Sequence, residues 1–269
     1  MGGTPTLPGP DLAGPDLADP DLVEPDLVEE VHSVAYWFDA VADHLRRGLA
    51  AVSDREGGDA ATEGTDRLLT VLANYALGEL TALEGAGGLV ELAGDRRAKT
   101  FLATQTLDEA RHLEVFTRRM RSLGVDDPDA EMERRAHPAL QAFRERLLGL
   151  VHDGDWESAV FAQNVVLESM ERAVFDAHRL DADLRTRVVL DGVIADERRH
   201  LGFGENQLGR RLAAGDERLA RRLSELRAEL DPLVMGAVEG VAAEIGLAPD
   251  RVARLRDDYE AAVHRLGLS

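Results

Sequence analysis

The sequence predicts an all-α fold, built as a bundle of long helices. Ala, Leu, Arg and Glu are abundant, aromatic residues make up only 4% of the chain, and no strand-like alternation of apolar and polar residues competes with the helical pattern. Several predicted helices exceed the usual globular length, which is typical of bundles. The helices are predicted near residues 28–52, 65–92, 95–123, 136–152, 155–180, 183–213, 216–245 and 249–267.

The breaks between these helices carry ordinary stop and start signals. A glycine that can end one helix is followed by a residue that can cap the next. Pro249 lies where a first helical turn would begin, and Pro232 lies inside a helical pattern, where it is expected to kink or split the helix. The breaks are at Gly57-Gly58, Gly94-Asp95, Gly124 with Asp127-Pro128, Gly154-Asp155 and Gly215-Asp216.

The first 28 residues form a low-complexity segment. Pro-Asp-Leu recurs there with a period of five, at 10–12, 15–17, 20–22 and 25–27. A proline every five residues is incompatible with a helix or a packed core, so residues 1–28 are predicted to be a disordered acidic tail. The remaining residues, 29–269, are predicted to form a single helical domain, with a bundle core at about 65–213 and extra C-terminal helices at 216–267.

Composition excludes several function classes. The net charge of −20 argues against a nucleic-acid partner, because phosphates need Lys and Arg to neutralise them. The chain has no Cys, so any metal must be held by His, Asp and Glu. No run of about 18 apolar residues predicts a membrane span, and no signal-peptide pattern is seen at the start. A cytoplasmic protein without a membrane partner is expected.

A repeated motif lies on two of the predicted helices. The stretches LDEARHLEVF and ADERRHLGFG share the frame Asp-Glu-x-Arg-His-Leu. In each frame a Glu and a His are three residues apart, so both lie on one helix face and can bind one metal ion. The pairs Glu109–His112 and Glu197–His200 therefore predict a site for two ions. A third pair, Glu29–His32, lies beside the tail without this frame and is interpreted as a chance occurrence.

The helix before each pair offers one more carboxylate. In helical bundles, a dinuclear site takes one Glu from each neighbouring helix in addition to the two Glu-x-x-His pairs. Glu79 precedes Glu109 by 30 residues, and Glu168 precedes Glu197 by 29. Both lie in apolar surroundings, where an unpaired carboxylate would be costly. Glu171, one turn further along, is an alternative or additional ligand.

The motif also contains residues that can support the ligands. Metal-bound imidazole usually donates its second N–H to a carboxylate. Asp108 and Asp196 are candidates to bond His200 and His112 across the site, although exposed positions are an equally good interpretation. Arg111 and Arg199 either pair with these carboxylates or lie at the surface.

The six candidate ligands resemble those of the ferritin-like di-iron carboxylate proteins. ALGELTA, LDEARHLEVF, NVVLES and ADERRHLGFG are most similar to the oxygen-activating branch, which includes ribonucleotide reductase small subunits and bacterial multicomponent monooxygenases. The resemblance covers about 65–213 and implies a ferritin-like four-helix bundle with flanking helices. It also implies two Fe ions, with Mn/Fe as an alternative, and O₂ as co-substrate.

Several positions depart from individual groups within this branch. Phe116 stands where the usual ribonucleotide reductase small subunit has its radical Tyr. Val193 stands where arylamine N-oxygenases have an additional His, and Arg172 where multicomponent hydroxylases usually have a Thr. The chain therefore fits none of these groups cleanly.

The resemblance implies a non-haem di-iron oxygenase or oxidase that hydroxylates, N-oxygenates or desaturates a small organic metabolite. It also implies an external electron donor (a ferredoxin or reductase) and is compatible with a homodimer. The alternatives are a radical-generating Mn/Fe or Fe/Fe subunit, a ferroxidase or iron-storage protein, and a metal-free helical scaffold. Helix geometry and the resemblance together suggest a substrate pocket, which would be lined by Tyr75, Gly78, Ala82, Gln105 and Phe116.

Overall fold

A computed structural model describes residues 63–268, all of which belong to one compact unit. Four predicted features lie outside these residues, namely the tail, the helix near 28–52, the pair Glu29–His32 and the break at Gly57-Gly58. The helices are α1 (Glu63–Leu92), α2 (Arg96–Ser122), α3 (Pro128–Arg135), α4 (Pro138–His152), α5 (Trp156–Val160), a π-helical segment (Phe161–Leu167), α6 (Glu168–His178), α7 (Leu184–Ala213), α8 (Glu217–Glu244) and α9 (Pro249–Arg265).

The described residues contain helices and no strand, which confirms the all-α prediction. Within residues 63–268, no helix is sufficiently long and apolar to cross a bilayer. The long helix α1 packs along α2, and α6 packs along α7, so the chain forms two helix hairpins. The hairpins meet where α2 contacts α7 and where α1 contacts the π-helical segment. Outside them, α4 and α8 pack against α1, and α9 packs against α6.

The predicted cap signals act as expected at the helix starts. The Asp95 carboxylate accepts hydrogen bonds from the backbone N–H groups of Arg97 and Ala98 at the start of α2. Asp155 and Asp216 cap α5 and α8 in the same way. Each of these two follows a glycine with a positive φ angle, a conformation that costs other residues free energy. These local signals therefore fix where the chain turns between helices.

The short helix α3 was missed by the sequence analysis. Asp127 and Pro128 were interpreted as part of a break before a helix at 136–152, but they begin α3 with a side-chain cap and a proline in the first turn. At the other end of α3, Arg135 donates hydrogen bonds to Glu131 and to Thr70 of α1. A helix of this length is marginal alone, and the bond to Thr70 anchors it to the bundle.

Pro232 does not split its helix. The sequence predicted a kink or a split, but α8 runs from Glu217 to Glu244 with Pro232 inside it. Leu230 and Val234, on either side of the proline, are buried. Burial of these apolar side chains offsets the hydrogen bond that the proline cannot donate.

Candidate metal centre

The six predicted ligand residues come together in one buried space between the two hairpins. Glu79 lies in the middle of α1, the first Glu-x-x-His pair lies on α2, Glu168 is the first residue of α6, and the second pair lies on α7. None of the six side chains is exposed to solvent. The six residues are Glu79, Glu109, His112, Glu168, Glu197 and His200.

Both imidazole rings direct Nδ1 into this space. His112 Nδ1 lies 3.1 Å from Glu109 Oε2 and 3.2 Å from Glu197 Oε1. His200 Nδ1 lies 3.1 Å from Glu109 Oε1 and 3.7 Å from Glu197 Oε2. Each of these two glutamates therefore presents one oxygen to each histidine, which is the geometry of a carboxylate that bridges two ions.

The remaining two carboxylates each lie on one side of the cluster. Glu79 Oε2 is 3.2 Å from His112 Nδ1, whereas Glu168 Oε2 is 3.4 Å from His200 Nδ1. Two sets of residues each bring their ligand atoms within 4.8 Å of one another. The first set is Glu79, Glu109, His112 and Glu197, and the second is Glu109, Glu168 and His200. The cluster thus divides into two overlapping sets of ligands that share Glu109.

The chemistry of the cluster fits two metal ions. Several buried carboxylate oxygens have no hydrogen-bond partner within residues 63–268, including both oxygens of Glu197, Glu79 Oε1 and Glu168 Oε2. Burying an ionised carboxylate without a partner costs several kcal/mol, and a bound cation removes that cost. Imidazole nitrogens with carboxylate oxygens suit iron and manganese, and the four carboxylates balance two divalent ions.

The ionisation of these groups is strongly coupled. Burial raises the pKa of Glu79 to about 8, although the neighbouring His112 opposes this rise. Burial and the charges of Glu197 and Glu109 raise the pKa of Glu168 well above its usual value. Burial also disfavours the charged form of Glu197, but the proximity of Glu168 and the two histidines outweighs it and holds that pKa low. The carboxylates therefore resist being ionised together unless cations neutralise them.

Two aspartates hold the outer nitrogens of the histidines. His112 Nε2 lies 3.4 Å from Asp196, and His200 Nε2 lies 3.4 Å from Asp108, so each aspartate reaches across to the other helix. Arg111 donates a hydrogen bond to Asp196, and Arg199 donates to both aspartates. The arginines thus pair with these carboxylates, in a network that is partly exposed.

A buried amide network supports the cluster, and two of its members were not foreseen from the sequence. Gln105 Nε2 donates to Glu109 Oε1 at 3.0 Å and to Glu168 Oε1 at 2.7 Å. Gln163 donates to the same Glu168 oxygen, and Asn164 donates to Gln105 Oε1. Gln163 and Asn164 lie on the π-helical segment. Their occurrence inside the apolar run VFAQNVVL is the signal that could have identified them.

The proposed pocket residues separate into two groups. Tyr75 and Gly78 line an apolar cavity between α1, α4, α6 and α8, and Glu171 lines it from α6. Other walls of this cavity are formed by Phe143, Met170, Val174 and Val238. The other three predicted pocket residues do not line it: Ala82 is buried, Gln105 belongs to the amide network, and Phe116 packs on the rings of Tyr75 and Phe175.

The hydroxyl of Tyr75 has a histidine partner. Its oxygen lies 3.1 Å from His178 Nδ1, at the end of α6. Burial lowers the pKa of His178 to about 4, so the imidazole is neutral near neutral pH and accepts a hydrogen bond from the Tyr75 hydroxyl. Tyr75 is therefore bonded to a histidine and not to one of the buried carboxylates.

Several solved structures with similar folds are oxidases. A protein from Synechococcus with aldehyde deformylating oxidase activity has 21% identity and a TM-score of 0.67, covering 78% of this chain and 94% of its own. R2-like ligand-binding oxidase from Sulfolobus acidocaldarius has 17% identity and a TM-score of 0.69, covering 86% and 89%. A Tyr-to-Phe mutant of R2-like ligand-binding oxidase, with an aerobically reconstituted Mn/Fe cofactor, has 16% identity and a TM-score of 0.68, covering 83% and 90%. At these identities the similarity supports the fold alone.

The sequence itself matches a family model. No curated protein matches the chain, but residues 42–208 match the model for Methane/Phenol/Alkene Hydroxylase, which is more than half of the chain. The matched range includes every residue of the buried cluster. The family and the cluster together identify an oxidoreductase with a dinuclear metal centre. The chain therefore belongs to the Methane/Phenol/Alkene Hydroxylase family, within the ferritin-like di-iron carboxylate superfamily.

Proposed function

We propose that this protein is a non-haem di-iron oxygenase that uses O₂ to oxidise a small, largely apolar organic molecule. The observation that carries the proposal is the position of Glu109 and Glu197, each of which faces both histidines in a buried cluster. The apolar cavity reaches this cluster at Glu171, so a substrate in the cavity would lie beside the metal ligands.

The chemistry that two iron ions supply at such a site is the reduction of O₂ and the oxidation of a nearby C–H or N–H bond. Insertion of one oxygen atom into the substrate converts the other to water, which requires two electrons and two protons from outside. The side chains of this protein hold the ligands in place for that chemistry. Asp196 and Asp108 orient the two imidazoles, and Gln105 fixes one oxygen of Glu168.

The cavity favours a substrate that is largely apolar. Its walls are mostly apolar, with Tyr75, Asn74 and Glu171 as the polar groups. A molecule with an apolar body therefore gains free energy by leaving water, whereas a highly charged one loses its hydration. Hydroxylation, N-oxygenation and desaturation are all compatible with this pocket.

The electrons would come from a separate ferredoxin or reductase. The partly exposed network of Asp108, Asp196, Arg111 and Arg199 lies directly outside the histidines and offers both signs of charge to such a partner. The remaining proposed partners are the substrate and a second copy of the chain in a homodimer.

A Mn/Fe oxidase is the second candidate. Several solved structures with this fold are R2-like ligand-binding oxidases with a Mn/Fe cofactor, and the same donor set binds Mn and Fe. Phe116 occupies the position of the usual radical tyrosine, so this candidate would act as an oxidase rather than as a conventional radical-generating subunit.

The proposal is tested by mixing anaerobic Fe(II)-loaded protein with O₂ and following absorbance and O₂ consumption. The wild type is expected to consume O₂ with a transient absorbance, and Glu109→Ala and His200→Ala are expected to lose both. Glu84→Ala is a matched control, because Glu84 lies on the same helix as Glu79 but is exposed and paired with Arg144. Apolar substrates that accelerate O₂ consumption and incorporate labelled oxygen would support an oxygenase. O₂ consumption that is equal in the wild type and both cluster variants would overturn the proposal.

A further inference from the structure

A fifth carboxylate, Glu171, lies against the metal centre without a hydrogen-bond partner. It is one turn beyond Glu168 on α6, and its ligand atom lies within 4.8 Å of those of Glu168 and Glu197. These three residues come from two helices, so more than the local helical spacing brings them together. The amide network described above does not reach Glu171.

The two carboxylate oxygens of Glu171 are buried, although the residue as a whole is half-buried. Neither of its oxygens has a hydrogen-bond partner in the described part of the chain, and part of the side chain faces the apolar cavity. Glu168 and Glu197, which are fully buried, direct further unpartnered oxygens into the same space. Carboxylates that are this close and unpartnered repel one another, and a cation between them reverses the sign of that interaction.

A glycine on the neighbouring helix makes room for this carboxylate. A Cβ at position 78 would overlap Glu171 Oε1, so any other residue there would displace the carboxylate. Glycine in the middle of a helix costs about 0.5–1 kcal/mol relative to alanine. The space that Glu171 needs therefore explains why α1 has a glycine at position 78 despite the loss of helix stability.

We propose that Glu171 is a seventh metal ligand. It binds the ion that is held by Glu168 and His200, and it does so from the side of the cavity. This inference rests on the proposed dinuclear centre and adds a ligand to it. Because Glu171 lies between the cavity and the cluster, it closes the coordination position that faces the substrate. A substrate or O₂ that reaches this ion from the cavity must displace Glu171.

The charge of Glu171 also has a consequence for the centre. The other four carboxylates already balance two divalent ions, so a fifth adds one negative charge. This charge is balanced when one ion is trivalent. Glu171 is therefore expected to favour retention of the oxidised ion and to lower the reduction potential of the centre.

The test is anaerobic titration of the protein with Mn(II), followed by calorimetry and by the electron paramagnetic resonance signal of free Mn(II). Glu171→Gln keeps the size of the side chain and removes the charge, and Gly78→Ala displaces the carboxylate without changing it. Glu84→Gln removes an exposed carboxylate from α1 and serves as the matched control. Thermal unfolding of each metal-free variant reports on its folding.

In the wild type and Glu84→Gln we expect two Mn(II) sites. In Glu171→Gln one of the two sites should lose about 10-fold or more in affinity, as for removal of other groups that support a metal. The same variant should unfold at an unchanged or higher temperature when metal-free, because the Glu171 carboxyl group has no hydrogen-bond partner to lose. A purely structural Glu171 would instead lower the unfolding temperature.

Equal Mn(II) affinities in the wild type and Glu171→Gln would overturn this inference and leave the dinuclear centre intact. Failure of the wild type to bind Mn(II) would overturn the centre itself, and Glu171 as its ligand with it. If Gly78→Ala folds and binds both ions as the wild type does, the space left by Gly78 is unrelated to metal binding, which also contradicts the argument.

Discussion

At the scale of single residues, the site depends on which nitrogen each histidine directs inward. Asp196 and Asp108 bond the Nε2 atoms of His112 and His200, which leaves both Nδ1 atoms for the cluster. Burial raises the pKa of Asp196, but the hydrogen bond from His112 and the charge of Arg111 outweigh it and keep the carboxylate ionised. An ionised partner makes the imidazole a better metal ligand.

Asp196→Asn tests this role. An asparagine retains the shape of the side chain but removes the charge, so His112 is oriented less firmly and is less basic. Metal affinity at the position of His112 should fall about 10–100-fold. Fe(II) or Mn(II) titration measures the change. The control is Asp191→Asn, because Asp191 lies on the same helix as Asp196 but is exposed and paired with Arg179. It should leave the affinity unchanged, and an equal loss in both variants would contradict the role of Asp196 in orienting His112.

His178 gives the protein a predicted dependence on pH. Its pKa falls from 6.5 to about 4 on folding, so the unfolded chain binds a proton that the folded chain excludes. The corresponding stability is complete above pH 6.5 and is lost as the pH falls toward 4. At about 1.4 kcal/mol per pKa unit, the loss is at most about 3 kcal/mol.

The pH prediction is measured as a difference between the wild type and His178→Gln. Both proteins are unfolded with denaturant at several pH values between 7 and 4, an interval of about three units. The difference between them isolates the contribution of His178 from that of other titrating groups. The wild type should lose more stability than the variant over this interval. Parallel curves for the two proteins would show that His178 titrates alike in the folded and unfolded chains.

At the scale of elements, the ligand helices could be predicted and the π-helical segment could not. The repeated frame and the near-equal spacings to Glu79 and Glu168 located the four ligand-bearing helices from the sequence. The segment 161–167 has an apolar composition that α-helix and π-helix satisfy equally. Its geometry depends on tertiary contacts, namely the buried amides of Gln163 and Asn164 and the close approach of α7.

Gly204→Ala tests that close approach. A Cβ at position 204 would lie 2.7 Å from Asn164 Cβ and 3.0 Å from Asn164 backbone atoms, which cannot rotate away. The expected loss of stability is about 1–3 kcal/mol, as for other overpacked positions.

Gly202→Ala on the same helix is the matched control for that substitution. No neighbouring atom lies within 4 Å of the new Cβ there, so the variant should be as stable as the wild type or more stable by up to about 1 kcal/mol. Denaturant unfolding compares the two. Equal stability of Gly204→Ala and the wild type would contradict the tight packing of α7 on the π-helical segment.

Dependence on tertiary contacts also explains the other differences between the sequence-based predictions and the structure. Local cap signals located most helix ends correctly, because they act within one turn. The short helix α3 and the continuity of α8 through Pro232 depend on burial and on bonds to distant residues. Likewise, Tyr75 and Gly78 reach the cavity whereas Ala82 does not, which depends on how α4, α6 and α8 pack around α1.

At the scale of the whole molecule, folding brings buried carboxylates together, and metal binding removes the resulting electrostatic repulsion. Buried carboxylates from both hairpins meet in one space, so an ion bound there joins α1, α2, α6 and α7. The folded protein binds the ions and the unfolded chain lacks the site, so binding stabilises the fold. At a free ion concentration 100 times the dissociation constant, one site contributes about 2.7 kcal/mol.

Removal of metal should therefore lower the midpoint of thermal unfolding, and anaerobic return of Fe(II) or Mn(II) should restore it. Differential scanning calorimetry at several metal concentrations measures the shift, which should grow with the logarithm of the free ion concentration. Glu109→Ala removes one of the two carboxylates that face both histidines and should abolish the shift. A midpoint that is independent of metal in the wild type would disagree with the linkage.

The central claim is that the buried cluster holds two ions, and direct metal analysis after anaerobic loading with Fe(II) and removal of excess ion tests it most directly. The account predicts two iron ions per chain in the wild type and loss of stoichiometric binding in Glu109→Ala, with Glu84→Ala equal to the wild type. A wild-type protein that retains no more iron than Glu109→Ala would contradict it.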